Sequence, residues 1–233
     1  MKVSLVLTGF MRNWEYNYPM VKEQILDQYN PDVYITSYTY SKNYWINNSE
    51  EVDVQKVIDT YNPKNYIFRE IETCPEINFI DNGSESIGRN YSILQTYGWY
   101  TQKLALNLFN FDDYNIIIKL RTDIGLSNFK IIQSKPLVIP EWKYRPGPCK
   151  ASQAYVDYFA YGNPKMMKGY FSLYDKLEEM NRMGIDVSLG ETLLKNYIDT
   201  YVTDEVYKDT EVDWILRGDM WASQLGTIFP LQF

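Results

Sequence analysis

The strongest constraint on the fold is an alternation in the first half of the chain. Short apolar runs, each too short for a stable helix, are separated by segments with helical spacing. Val3-Ser4-Leu5-Val6-Leu7 is the first run, ended by Thr8-Gly9; an unbroken apolar stretch of this length is the pattern of a strand buried on both faces. A loop is expected from Phe10 to Tyr16. A helix is expected from Pro19 to Tyr29, with Val21, Ile25 and Leu26 on one face, stopped by Asn30-Pro31. Asp32 to Ser37 reads as a second strand and Tyr38 to Ser49 as a long loop. A helix from Glu50 to Tyr61 capped by Ser49, a strand from Asn65 to Arg69 and a helix from Asn90 to Phe109 continue the order. Tyr114 to Leu120 carries three consecutive isoleucines and is the strongest strand signal.

Strands alternating with helices predict an α/β fold, a Rossmann-like three-layer sandwich with a mainly parallel central sheet. Beyond Asp123 the pattern loosens. Strands are expected at Lys135 to Pro140 and Val156 to Gly162, and helices at Pro164 to Met183 and Gly190 to Tyr201. With no repeat or linker, residues 1–233 read as one domain, with a ligand-binding half of about 1–123 and a second half of about 124–233.

Composition narrows the chemistry. The chain has no histidine, so it holds no Ser-His-Asp triad, no Cys-His dyad and no imidazole-ligated metal. Its two cysteines, Cys74 and Cys149, cannot make a four-ligand metal site. A formal charge of -7 argues against nucleic acid as the partner. The sequence has no apolar run long enough for a membrane span, and Met1-Lys2 leads straight into a strand, which together predict a soluble cytoplasmic protein. The 22 tyrosines read first as core filling; Trp45, Trp142 and Trp221, in loop-like or terminal stretches, are the candidates for stacking on a ring.

In a sheet of this kind ligands bind at the carboxyl ends of the parallel strands. The residues at those ends are Thr8, Gly9 and Arg12, then Ser37 and Tyr38, then Arg121 and Asp123. No Gly-rich phosphate loop of either common type is present. Arg121 and Asp123, at i and i+2 on one rim, suit a structural ion pair or a diphosphate site.

The strand ending Lys119-Leu120-Arg121-Thr122-Asp123 resembles the D-x-D region of GT-A-fold glycosyltransferases, particularly the small nucleotide-sugar-dependent enzymes of viruses and bacteria. Arg89-Asn90 at the head of the preceding helix, the Arg12-Asn13 loop, Asp157 to Gly162, and Gly190-Glu191-Thr192 fall where that family carries related motifs. The resemblance implies transfer of a hexosyl or deoxyhexosyl group from a UDP- or GDP-linked sugar to a glycan or other hydroxyl acceptor. It implies donor binding by Thr8, Gly9, Arg12, Ser37, Tyr38, Arg89, Asn90, Arg121 and Asp123. It also implies a manganese (Mn2+) or magnesium (Mg2+) ion on Asp123, as metal ligand. Two departures stand out: Arg121 replaces the first acidic position of D-x-D, and Thr192 stands where inverting members have an aspartate.

Without histidine the acceptor must be deprotonated by a carboxylate, and Asp157 and Glu191 are the candidate catalytic bases. Two other functions fit the same sheet. One is a nucleotidyltransferase making sugar nucleotides, disfavoured because only Gly9 and Arg12 follow the first strand; the other is a non-catalytic sugar- or nucleotide-binding module.

Overall fold

The computed structural model describes residues 1–43, 48–75, 77, 89–140, 154–187, 190–203 and 205–216. The opening apolar run forms β1 (Val3–Thr8), every residue of it buried. Its side chains alternate between two apolar layers: Val6 packs on one side of the sheet, Leu5 and Leu7 on the other. This is why the run lacks polar alternation, and each such side chain contributes roughly 1.5–3 kcal/mol of burial.

Helix α1 (Trp14–Val21) begins earlier than its sequence suggests and places Pro19 inside the helix. It continues through a wide turn at Lys22–Leu26 into α2 (Asp27–Tyr29), ended by Asn30 in the left-handed region. Strand β2 (Asp32–Tyr38) follows. The expected loop from Tyr38 to Ser49 is instead a hairpin, β3 (Tyr40–Asn43) and β4 (Asn48–Glu51). Helix α3 (Val54–Tyr61) starts at Asp53, whose carboxylate accepts from the Lys56 amide at 2.9 Å; Ser49 lies in β4 and is not the cap. Strand β5 (Asn65–Arg69), helix α4 (Arg89–Ala105) and strand β6 (Ile116–Arg121) complete the first half.

The second half contains β7 (Ile124–Ser127), β8 (Leu137–Pro140), β9 (Phe159–Gly162), β10 (Val206–Asp209) and β11 (Asp213–Leu216). Its helices are α5 (Pro164–Phe171), α6 (Leu177–Arg182) and α7 (Gly190–Tyr197). The single helix expected from Pro164 to Met183 is thus broken by a 3-10 turn at Leu173–Lys176.

One seven-stranded sheet draws on both halves in the order β10-β8-β9-β6-β1-β2-β5. All its neighbours pair in parallel except β9, which runs antiparallel to both β6 and β8. Trp14, Ile25, Val57 and Tyr61 cover one face; Trp99, Tyr170, Leu177 and Leu193 cover the other. The mainly parallel sheet between helices follows the sequence pattern. Among the described residues no helix is long and apolar enough to cross a membrane.

Two features of this topology position the site. After β1 the chain steps outward to β2 and β5, then returns to the opposite side of β1 to lay down β6. The carboxyl ends of β1 and β6 therefore flank a topological switch point, the position at which sheets of this kind bind ligands in a crevice. The register places Thr36, Thr8 and Arg121 in one row across that edge. Because β9 is reversed, the residues that precede it meet the end of β6 at the same rim, and the Arg121 amide extends the ladder by donating to the Tyr158 carbonyl at 2.9 Å.

Candidate functional site

Along β6 the pleat sends Ile117, Lys119 and Arg121 to one face, and the sequence spacing carries Asp123 to the end of that line. Asp123 is the hub of an ion network. It accepts from Arg121 Nε at 2.9 Å and from Arg121 Nη2 at 2.8 Å, a two-pronged pair. Arg12 Nη2 reaches the same carboxylate at 2.9 Å from the loop after β1. Arg121 Nη1 lies 3.6 Å from Asp157 Oδ1, and the guanidinium sits 4.3 Å from the centre of the Tyr158 ring. Stacking on an aromatic face fixes the plane of the fork.

Burial would raise the Asp123 carboxyl, but Arg121 and Arg12 outweigh it and hold the group at about 2. Burial also works against the Arg121 charge, and Asp123 and Asp157 more than compensate, raising it. For Arg12 burial wins over Asp123, and its value falls below that of a free guanidinium. The Arg12 and Arg121 side chains are 26% and 21% exposed, so both are partly open to solvent while Asp123 is buried at 8%.

The loop after β1 is fixed by its own contacts. Gly9 adopts φ 93, a conformation that favours glycine, and its amide donates to Thr101 Oγ1 at 3.1 Å. Ser37 Oγ donates to the Gly9 carbonyl at 2.7 Å, and Thr122 Oγ1 to the Phe10 carbonyl at 2.6 Å. Gly9 thus shapes the turn that delivers Arg12, and its amide already has a protein acceptor. Ser37 supports that turn. Tyr38 is fully buried, stacks near Phe10 with centroids 5.1 Å apart, and donates to the Tyr97 carbonyl at 3.1 Å. Thr8 is buried in the sheet row. These four residues build the floor beneath the arginines.

Asp157 and Glu191, distant in sequence, converge on Tyr158. The Tyr158 hydroxyl donates to Glu191 Oε1 at 3.5 Å, and the Tyr155 amide to the Glu191 carbonyl at 3.0 Å. Both carboxylate residues are nine-tenths buried, and Asp157 Oδ1 accepts no hydrogen bond from a described residue. Arg89 and Asn90 open α4, and their side chains lie outside the described residues, as do Trp45, Trp142, Trp221 and Cys149.

Lys119 is a participant that the sequence reading passed over. Fully buried beside Arg121, it donates from Nζ to the Asp157 carbonyl, 6.0 Å from the centre of the Tyr170 ring. Burial, only partly offset by Asp157, pushes its ammonium down to about 7. A lysine two residues before Arg121 in an otherwise apolar strand was the available signal. Thr101 gave none; it meets Gly9 only through tertiary structure.

The expected cation on Asp123 does not fit these residues. A carboxylate offers about four lone-pair sites. Arg121 takes two, and Arg12 pairs with the same carboxylate at 2.9 Å. The next carboxylate, Asp157, lies across Arg121, and among the described residues no cluster of three acidic or cysteine ligands forms. At the opposite, amino-terminal edge of the sheet, an open depression of about 470 Å3 involves Lys2, Asp32 and Lys64. There Lys64 is paired with Asp32 at 2.7 Å.

Fold and site together describe an α/β protein whose mostly parallel sheet is compatible with a Rossmann-like sandwich, with two guanidiniums gathered on one carboxylate at its switch point. The chain matches no protein-family model, and no curated protein is significantly similar to it.

Proposed function

We propose that the protein is a GT-A-type glycosyltransferase that takes a sugar from a nucleoside-diphosphate donor to a hydroxyl acceptor. The observation that carries this reading is the meeting, at the switch point, of two guanidiniums from β1 and β6 with two buried carboxylates from the second half. Diphosphate recognition needs the first, and acceptor activation needs the second.

The donor diphosphate lies against Arg12 and Arg121. As transfer proceeds, the anomeric C–O bond breaks and its electron pair leaves with the diphosphate. The acceptor oxygen forms the new bond to the anomeric carbon and gives its proton to a carboxylate. The negative charge gathers on the leaving group, where fixed guanidiniums stabilise the transition state more than the ground state. Asp157 is the preferred base because Oδ1, 3.6 Å from Arg121 Nη1, accepts no hydrogen bond from a described residue, whereas Glu191 is held by Tyr158. The nucleotide is UDP or GDP, and the acceptor a glycan or other hydroxyl compound.

The engagement of Asp123 by two arginines favours a second reading, a nucleotide-sugar-binding module without turnover. One experiment separates the readings. The full chain is incubated with UDP- and GDP-sugars and hydroxyl acceptors, and the released nucleotide is quantified. Transfer is expected to liberate nucleoside diphosphate, and Asp157→Asn to slow the chemical step by ~10²-fold or more. Pyrophosphate release would instead indicate nucleotidyl transfer, and binding without release the module. An Asp157→Asn variant with normal turnover, alongside a slow Glu191→Gln variant, would move the base to Glu191.

A further inference from the structure

The poor fit of a cation to Asp123 leaves open what balances the charge of a bound diphosphate. We propose that this site neutralises the diphosphate with its own guanidinium pair, Arg12 and Arg121, in place of a divalent ion, and that Asp123 is the tether that holds the pair together. The inference rests on the diphosphate reading above and specifies how that ligand is held.

Three observations support it. First, the Asp123 carboxylate is already engaged on both oxygens, since Arg121 Nε and Nη2 donate to it and Arg12 Nη2 pairs with it at 2.9 Å. A Mg2+ or Mn2+ ion seated on that carboxylate would also stand directly beside two fixed positive charges. Second, the arginines keep unused donors. Arg12 Nε is buried and bonds no described group, and Arg121 Nη1 stands 3.6 Å from Asp157, beyond hydrogen-bond reach. A buried N–H without an acceptor is destabilising, and these donors are of the kind a phosphate oxygen satisfies. Third, the change in the motif is chemically matched. The position where a second acidic ligand would sit is Arg121, and its fork is stacked on Tyr158 and locked by Asp123. A planar fork held in this way suits a pair of phosphate oxygens.

Asp123 therefore does not compete with the ligand. It is buried at 8% exposure, and holds two like charges close enough to act on one ligand. Without the tether, Arg12 on its loop and Arg121 on its strand would repel each other.

The test is calorimetric titration of the full chain with UDP, GDP and inorganic pyrophosphate, once in EDTA and once with Mn2+ or Mg2+. Dissociation constants for the preferred nucleotide are expected to agree within about twofold between the two conditions. Arg12→Gln, a change on a partly exposed loop whose fold is checked by circular dichroism, is expected to weaken binding at least tenfold in EDTA. Binding that appears only when metal is added would overturn the inference while leaving the diphosphate reading in place. Unchanged affinity in a folded Arg12→Gln variant would also overturn it. Failure of UDP, GDP and pyrophosphate to bind under either condition would overturn both.

Discussion

At the residue scale, Asp123 holds together the ion network at the switch point. Its truncation would leave Arg12 and Arg121 facing each other with Asp157 as the remaining nearby counter-charge, and removing one partner of a buried pair is far more damaging than the net value of the pair. The acid form is equally disruptive, and pH reports it. The group sits at about 2 when folded against 3.8 for a free aspartate. A depressed carboxyl stabilises the fold above its unfolded value, and the contribution is lost as pH falls through the folded one. At 1.36 kcal/mol for each unit, this is on the order of 2 kcal/mol. Asp123→Asn should therefore be less stable than the parent by about that amount at pH 7, with the gap closing as pH is lowered from about 4 to about 2. Urea denaturation followed by circular dichroism at stepped pH measures the gap directly. A gap that stays constant down to pH 2 would show that the ion network adds nothing through its charge.

At the element scale, legibility followed burial. Val3–Thr8 and Ile116–Arg121 are central strands covered on both faces, so their sequences are nearly continuous apolar runs that a reader can find. The hairpin Tyr40–Glu51 was unreadable because its strands are made of Tyr, Ser, Lys, Asn and Glu, with no apolar alternation. Edge strand β10, Val-Tyr-Lys-Asp, is only four residues long and mostly half-buried, which hid it too. The abundant tyrosines proved to include core residues: Tyr38, Tyr161 and Tyr170 are wholly buried. Least legible was the reversal of β9, because strand direction depends on pairing and not on local composition. That reversal has a steric signature at Gly162, which pairs with Ile117 on one side and Leu137 on the other. A Cβ there would stand 2.4 Å from the Pro136 carbonyl oxygen, a backbone atom that cannot swing aside. Gly162→Ala is expected to cost about 1–3 kcal/mol through overpacking. Its thermal midpoint is the check, and a midpoint equal to that of the parent would mean that β8 and β9 can separate without loss.

At the scale of the whole molecule, the sheet does what no local motif does: it gathers Arg12, Arg121, Asp157 and Glu191 at one rim from segments spread over most of the chain. The candidate residues could be named from the sequence because strand ends are where such folds bind ligands. Their partners could not, since Thr101 reaches Gly9 across 92 positions and Tyr158 meets Arg121 only because β9 is antiparallel. If this rim is the binding site, ligand should protect one end of the sheet and leave the other alone. Hydrogen exchange can see this, provided the right amides are compared. Strand amides that exchange only through global opening slow everywhere when a ligand binds, by up to about 100-fold at a hundred times the dissociation constant, and so do not locate the site. Loop amides open locally and do locate it. With the preferred nucleoside diphosphate bound, peptides covering Gly9 to Asn13, Thr122 to Asp123 and Tyr155 to Tyr158 should exchange several-fold more slowly. Peptides over Asn30-Pro31 and Asn62-Pro63, in the turns leading into β2 and β5, should be unchanged, because those turns lie at the amino-terminal edge beside Asp32 and Lys64. Protection of those turns with no change around Arg12 would place the ligand at the Lys2–Lys64 depression and remove the switch point from the mechanism.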